Sequence, residues 1–209
     1  MGWAFFGEIK ITLFAHASVL LSFGDLNFYV DPYVVPKNSP PADAIFLTHD
    51  HFDHMQVPRS ILKPSTKVFA RGGKIPSIQL EIGQKIKVGG VEVEVVHAYN
   101  KNKSFHPKGF GAGFIFNFPT NPKPTKIYVA GDTDLIEEMS NYKADVAIVP
   151  IGGTYTMNVE EAAKAIATIK PKLAIPYHYN YLQETTADPK EFERLVKFFL
   201  PQTEVKILL

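Results

Sequence analysis

The chain contains no cysteine. That absence excludes disulfide staples and every thiolate metal site, so any metal here must be held by imidazole and carboxylate. Net charge is almost missing as well: 22 basic against 21 acidic side chains leave +1. No basic run stands out, which argues against the phosphate-neutralising surface of a nucleic-acid binder, and no nucleic-acid partner is expected. Long apolar runs are also lacking; none approaches the roughly 20 residues of a membrane-spanning helix. The most apolar early stretch, "ITLFAHASVLLSF", is interrupted by His16 and has neither a basic leader nor a small-residue cleavage site. The reading is therefore no signal peptide, no membrane partner and a cytoplasmic protein. Internal repeats, low-complexity tracts and linkers are not evident. At 209 residues the chain can bury a core unaided, and one domain over 1–209 is the simplest organisation. A homo-oligomer is left open.

What is present begins with short strands. "KITLFA", "SVLLSF" and "LNFYV" are rich in β-branched and aromatic residues and are parted by turn residues such as "GDLN". "ADAIFLT" is a near-continuous apolar run of the kind buried on both faces. "KVFA" follows, then "VEVEVV", whose alternation puts Val91, Val93 and Val95 on one face. "GAGFIFNF" and "KIYVAG" read as a hairpin joined by "PTNPKP"; "DVAIVPI", "KLAIPYH" and a closing "VKILL" complete the strands. Helices concentrate later. "NVEEAAKAIATIK" has Asn158 as its cap with Glu161 three residues on, "DPKEFERLVKFFL" has an Asp188 cap followed by Pro189, and "LIEEMSNY" predicts a shorter helix. Strands first, then strands alternating with helices, imply sheets covered by helices, an α/β class.

The polar residues fall where strands end. Asp31 closes "LNFYV", His49 closes "ADAIFLT", His97 closes "VEVEVV", Asp132 follows "KIYVAG" and His178 follows "KLAIPY". In layered α/β proteins such ends converge on one rim, where ligands bind. Between residues 46 and 57 the chain reads "FLTHDHFDHMQV", with three of the seven histidines in six positions. His49 and His51 are spaced to hold one ion from a loop leaving a buried strand, while Asp53 and His54 can turn toward a second. Such a donor set suits zinc, and also manganese or iron. For the third histidine of the first ion, the residues alone favour His97, which continues the Val91, Val93, Val95 face. His16, between apolar strands, can hydrogen-bond a ligand carboxylate, and Asp31 can orient a metal histidine.

The H-x-H-x-D-H run, with a distant histidine, a "GD" aspartate and a final histidine, resembles the metallo-β-lactamase superfamily. The resemblance begins at "AHAS" and "VDPY" and passes through "THDHFDH", "AYNKNKSFHPKG", "YVAGDTD" and "PIGGTYTMNVEEA" to "IPYHY". It is closest to the branch of small metal-dependent hydrolases that includes ascorbate-6-phosphate lactonase. Residue 15 is alanine where that branch usually has glycine. The resemblance implies a four-layer αββα sandwich with a two-metal site at one edge. Carried over by position, His49 and His51 would hold the first metal, Asp53, His54 and His178 the second, and Asp132 would bridge them. It also moves the third histidine of the first site to His106, in "FHPKG", with His97 then a supporting or substitute residue.

Two cations sharing Asp132 would lower the pKa of a bridging water toward neutrality. The expectation is a binuclear hydrolase, with two zinc ions, acting on an ester, lactone or phosphodiester bond of a small molecule, and with Asp53 also moving the nucleophile's proton. The rivals are a nucleic-acid phosphodiesterase and a non-hydrolytic metal-binding protein.

Overall fold

The computed structural model describes residues 1–209. Seven strands, β1 (Gly2–Phe6), β2 (Ile9–Leu13), β3 (Val19–Phe23), β4 (Leu26–Val30), β5 (Ala44–Leu47), β6 (Lys67–Ala70) and β7 (Ile78–Gln79), form one sheet in chain order. Seven more, β8 (Lys85–Val88), β9 (Val91–Ala98), β10 (Gly111–Phe118), β11 (Thr125–Val129), β12 (Val146–Pro150), β13 (Leu173–Tyr177) and β14 (Glu204–Val205), form the second. Each sheet opens with four antiparallel strands and continues parallel from the fourth to the seventh.

The second half therefore repeats the topology of the first, although the sequence itself shows no internal repeat. The repeat lies in strand order and direction, which very different side chains can satisfy, so it leaves little trace in the sequence. One trace is the aspartate that precedes β5 and β12. Asp43 accepts from the Asn27 amide at 2.9 Å and from Lys63 at 2.7 Å. Asp145 accepts from the Lys126 amide at 3.1 Å and from Lys172 at 2.9 Å.

The two sheets face each other across a core of 27 buried residues, among them Val91, Val93 and Val95 opposite Ile11, Phe28 and Phe46. The outer face of the second sheet, with Tyr128, Ala147 and Val149, is covered by α1 (Val159–Ile169) and α2 (Pro189–Phe199). α1 starts as a capping box: the Glu161 amide donates to the Asn158 side chain at 2.9 Å, and the Asn158 amide donates back to Glu161 at 3.0 Å. Over the first sheet the apolar row Phe14, Leu20, Tyr29, Ile45 and Leu47 is covered by irregular segments and Ile61 of a 3₁₀ turn at Arg59–Ile61. The architecture is the αββα sandwich, with one outer layer reduced to that turn and its flanking loops.

Three elements differ from the sequence reading. "LIEEMSNY" forms only a 3₁₀ turn, Glu137–Asn141, because Ile136 at its start has no side-chain cap and a single residue, Met139, is buried. The closing strand is only Glu204–Val205, so "VKILL" contributes its first residue to the ladder, after which Leu208 and Leu209 pack against the cores. β1, β7 and β8 were not legible; β8 alternates lysine with Ile86 and Val88 over only four residues. No helix is long and apolar enough to cross a membrane.

Candidate metal centre

The parallel strands of both sheets end on one edge. Asp31 follows β4, Thr48 and His49 follow β5, Asp132 stands three residues beyond β11, and His178 follows β13. The β2–β3 turn adds His16 and the β9–β10 loop adds His106. His16, Asp31 and His178 all hold left-handed backbone, with φ of 52, 44 and 55. For non-glycine residues that conformation costs about 1–2 kcal/mol each, and it persists where surrounding bonds enforce it. Here the His178 amide donates to the His16 carbonyl at 3.1 Å, tying the two strained residues together across the two sheets.

Six histidines and three aspartates meet at this edge. His49 Nε2 lies 3.0 Å from His51 Nδ1, and His106 Nε2 lies 3.2 Å from the same atom. On the other side, ligand atoms of His16, Asp53, His54 and His178 all fall within 4.8 Å of one another. Asp132 spans the two groups: one oxygen is 3.6 Å from His106 Nε2 and 3.2 Å from His178 Nε2, and the other is 3.6 Å from His54 Nε2.

The hydrogen bonds behind these rings decide which nitrogens carry lone pairs. Thr48 donates its hydroxyl to Asp31 at 2.6 Å, so its oxygen accepts from His49 Nδ1 at 2.9 Å. Asp31 also accepts from His54 Nδ1 at 2.7 Å. Asn100 uses its amide group on Asp134 and the Tyr155 carbonyl, so its oxygen accepts from His106 Nδ1 at 2.9 Å. His49 and His106 therefore present an unprotonated Nε2 to the centre of the cluster, and His54 would present its own once a cation displaces the proton there. Three nitrogens around His51 at 3.0–3.2 Å cannot all be hydrogen-bonded to one another, since one N–H at most is available there. Two ligands of a tetrahedral zinc at 2.0–2.1 Å stand about 3.3 Å apart, so the spacing fits a cation. Buried polar atoms without any partner point the same way: His54 Nε2, Asp132 Oδ1 and both nitrogens of His178. The residues fit divalent metal.

The electrostatics agree. Burial opposes charging His54, yet Asp132, Asp31 and Asp53 outweigh it and raise the ring to about 9. A proton thus sits where a cation would compete for it. His49 is driven well below the usual histidine range by burial, reinforced by His54. Asp132 resists burial, because His178 and His54 hold its carboxyl well below the usual range. Burial would raise Asp53, but the bond from His16 Nε2, 2.8 Å from Oδ2, keeps it low.

The structure brings together His49, His51, Asp53, His54, His106, Asp132 and His178, with His16 against Asp53 and Asp31 behind His54. It leaves out His97. That residue does share the inner face, since it pairs with Ala112, but it joins none of the groups of clustered ligand atoms and its Nδ1 is buried without a hydrogen-bond partner. The chain leaves β9, loops, and returns with His106, whose carbonyl accepts from the Asn100 amide at 2.7 Å to close the loop. Three supporting residues were not foreseen: Thr48, Asn100 and Asp134. Thr48 adjoins His49 and could have been suspected; a loop asparagine six residues before a histidine carries no signal.

A family profile described as a beta-lactamase superfamily domain matches residues 10–178. The chain belongs to the metallo-β-lactamase superfamily. Within it, this hydrolase is 36% identical over 201 residues to a UPF0173 metal-dependent hydrolase of Staphylothermus marinus, covering 86% of this chain and 84% of that one. A UPF0173 metal-dependent hydrolase of Methanoregula boonei is 33% identical, with 90% of each chain covered. Among solved structures, one from Parabacteroides distasonis has a TM-score of 0.84 at 30% identity, covering 99% of this chain and 97% of its own. Igni18, a metallo hydrolase of Ignicoccus hospitalis, has a TM-score of 0.76 at 26% identity, with 96% and 94% covered. The protein is a metal-dependent hydrolase of this superfamily, with a His/Asp cluster able to bind metal.

Proposed function

We propose that this hydrolase works with two divalent cations, zinc by the donor set, and cleaves an ester or lactone of a small molecule; a phosphodiester is the other bond open to the same chemistry. The observation that carries the two-ion reading is Asp132, whose carboxylate lies between the His49, His51, His106 group and the Asp53, His54, His178 group. Bound there, the cations would supply an acidified water and polarise the substrate's oxygen.

The chain's own residues do the rest. Asp31, Thr48 and Asn100 fix the tautomers of His54, His49 and His106, so no reorientation is needed on binding. Asp53 Oδ2, held by His16 Nε2, is placed to take the attacking water's proton and return it to the leaving oxygen. A cavity of about 230 Å³ beside the cluster, walled by Phe52, Phe105, Tyr155 and Leu182, supports a small substrate.

Asp132→Asn separates the readings. It should lower the metal content from two ions per chain and abolish hydrolysis of an ester and lactone panel, while the fold persists by circular dichroism. Full metal content with full rate in this variant would end the two-ion proposal.

A further inference from the structure

The cavity walls contain a second piece of information, about what the substrate is made of. Apart from His51, Asp53, His106, Asp132 and His178, the lining is Phe52, Phe105, Tyr155 and Leu182. No lysine or arginine lines it. The nearby Lys103 is committed elsewhere: its ammonium donates to Asp134 at 2.8 Å and to the Thr156 carbonyl, behind His106. A phosphate or carboxylate away from the scissile bond is commonly held by arginine or lysine, and neither lines this cavity.

The apolar walls are also conspicuously open to water. Phe52 is 70% exposed and Phe105 43% exposed, and each sits in the chain directly beside a clustered histidine. Tyr181, at 45%, stands over His16 with ring centres 5.3 Å apart. Phe105 is braced edge-on by Tyr155 at 4.8 Å and Phe52 by Tyr33 at 6.2 Å, so the rings are positioned although uncovered. Exposed apolar side chains gathered around a concave polar centre mark a binding surface.

From these walls we infer that the substrate carries an uncharged apolar group, aryl or alkyl, beside the scissile bond, and that Phe52 and Phe105 are the residues that select it. Sugar phosphates and other substrates with an anionic group away from the scissile bond are disfavoured, which sets this site apart from the phosphorylated lactone that the sequence resemblance brought forward. The inference rests on the hydrolase reading above only for the bond that is cut. For an aryl ester, water adds its oxygen to the acyl carbon, the acyl C–O bond breaks, and the leaving aryloxide takes up the proton lost by that water, giving a carboxylic acid and a phenol.

The test uses the metal-loaded protein and two readouts. Phenyl acetate and 4-acetoxybenzoate share one scissile bond and differ by a distal carboxylate; the KM of the carboxylated ester should be at least tenfold higher. Benzyl alcohol, which has no scissile bond, should bind by calorimetry, and both Phe52→Ala and Phe105→Ala should weaken it about tenfold with unchanged metal content. Phe52 is too exposed for its truncation to unfold the chain. Equal binding by wild type and both variants, or a carboxylated ester with equal or lower KM, overturns the inference. Selective binding of benzyl alcohol without turnover of either ester upholds the apolar pocket and counts against ester hydrolysis instead.

Discussion

At the scale of single residues, the centre depends on side chains that touch no substrate. Asn100 is the clearest case, because Asp134 and the Tyr155 carbonyl fix its orientation and its oxygen then fixes His106. Removing the acceptor leaves the imidazole free to turn and to change tautomer. On the two-ion proposal, Asn100→Ala should weaken binding of one ion per chain by about 10–100-fold, measured by competition with a chelator, while binding of the other ion changes little. Equal loss of both ions would mean that Asn100 supports the loop rather than the ring. Gly131 acts through space instead. Its φ is +67, and a β-carbon there would lie 2.6 Å from the Ala112 carbonyl and 3.3 Å from Thr48. Gly131→Ala should cost about 2 kcal/mol or more in chemical denaturation and displace Asp132 with it. A variant of native stability and full metal content would show that the strand end can yield.

At the scale of elements, local sequence and tertiary demand agree in the helices and diverge in the short strands. α1 has its capping box, its buried face of Ala162, Ala163, Ala165, Ile166 and Ile169, and a left-handed stop at Lys170 before Pro171. Every feature that starts and stops it lies within the element, so it was legible. Asn158→Ala should cost about 1 kcal/mol, seen as a fall of about 2–4 °C in Tm. No change would mean that packing on the sheet, rather than the cap, holds this end. β8 and the closing "VKILL" are different, because partners distant in sequence determine which residues join a ladder. "LIEEMSNY" had the composition of a helix but no cap, and the 3₁₀ turn is what remained.

Across the whole molecule, the edge opposite the metal centre is stitched by the two aspartates that precede β5 and β12. Burial tends to raise the Asp145 carboxyl, but its bonds to Lys172 and the Lys126 amide outweigh that and hold it below the usual range. A carboxyl depressed in the folded state binds its proton more readily in the unfolded chain. Its contribution is therefore present above the ordinary value of about 3.9 and disappears as pH falls through the lower folded value. Asp145→Asn should thus destabilise the protein at pH 7, with the gap to wild type closing below about pH 4 in denaturant titrations. A gap independent of pH would assign the effect to packing and not to charge.

Much of the centre could be read from the chain alone. The absence of cysteine restricted ligands to imidazole and carboxylate, the apolar run before "THDHFDH" placed that motif at a strand end, and the superfamily resemblance supplied Asp132, His178 and His106. Those are local patterns, carried by neighbours in sequence. The residues by themselves favoured His97 over His106, since alternation along β9 continues to it, and alternation does put it on the inner face. Only the tertiary structure decided that the loop returns His106 to the cluster, that Asn100 and Thr48 hold the rings, and that the halves repeat one topology. The physical reason is common to all three. Each depends on hydrogen bonds and packing between segments distant in the chain, and a polar residue in a loop looks the same whether its partner is water or an imidazole across the sandwich.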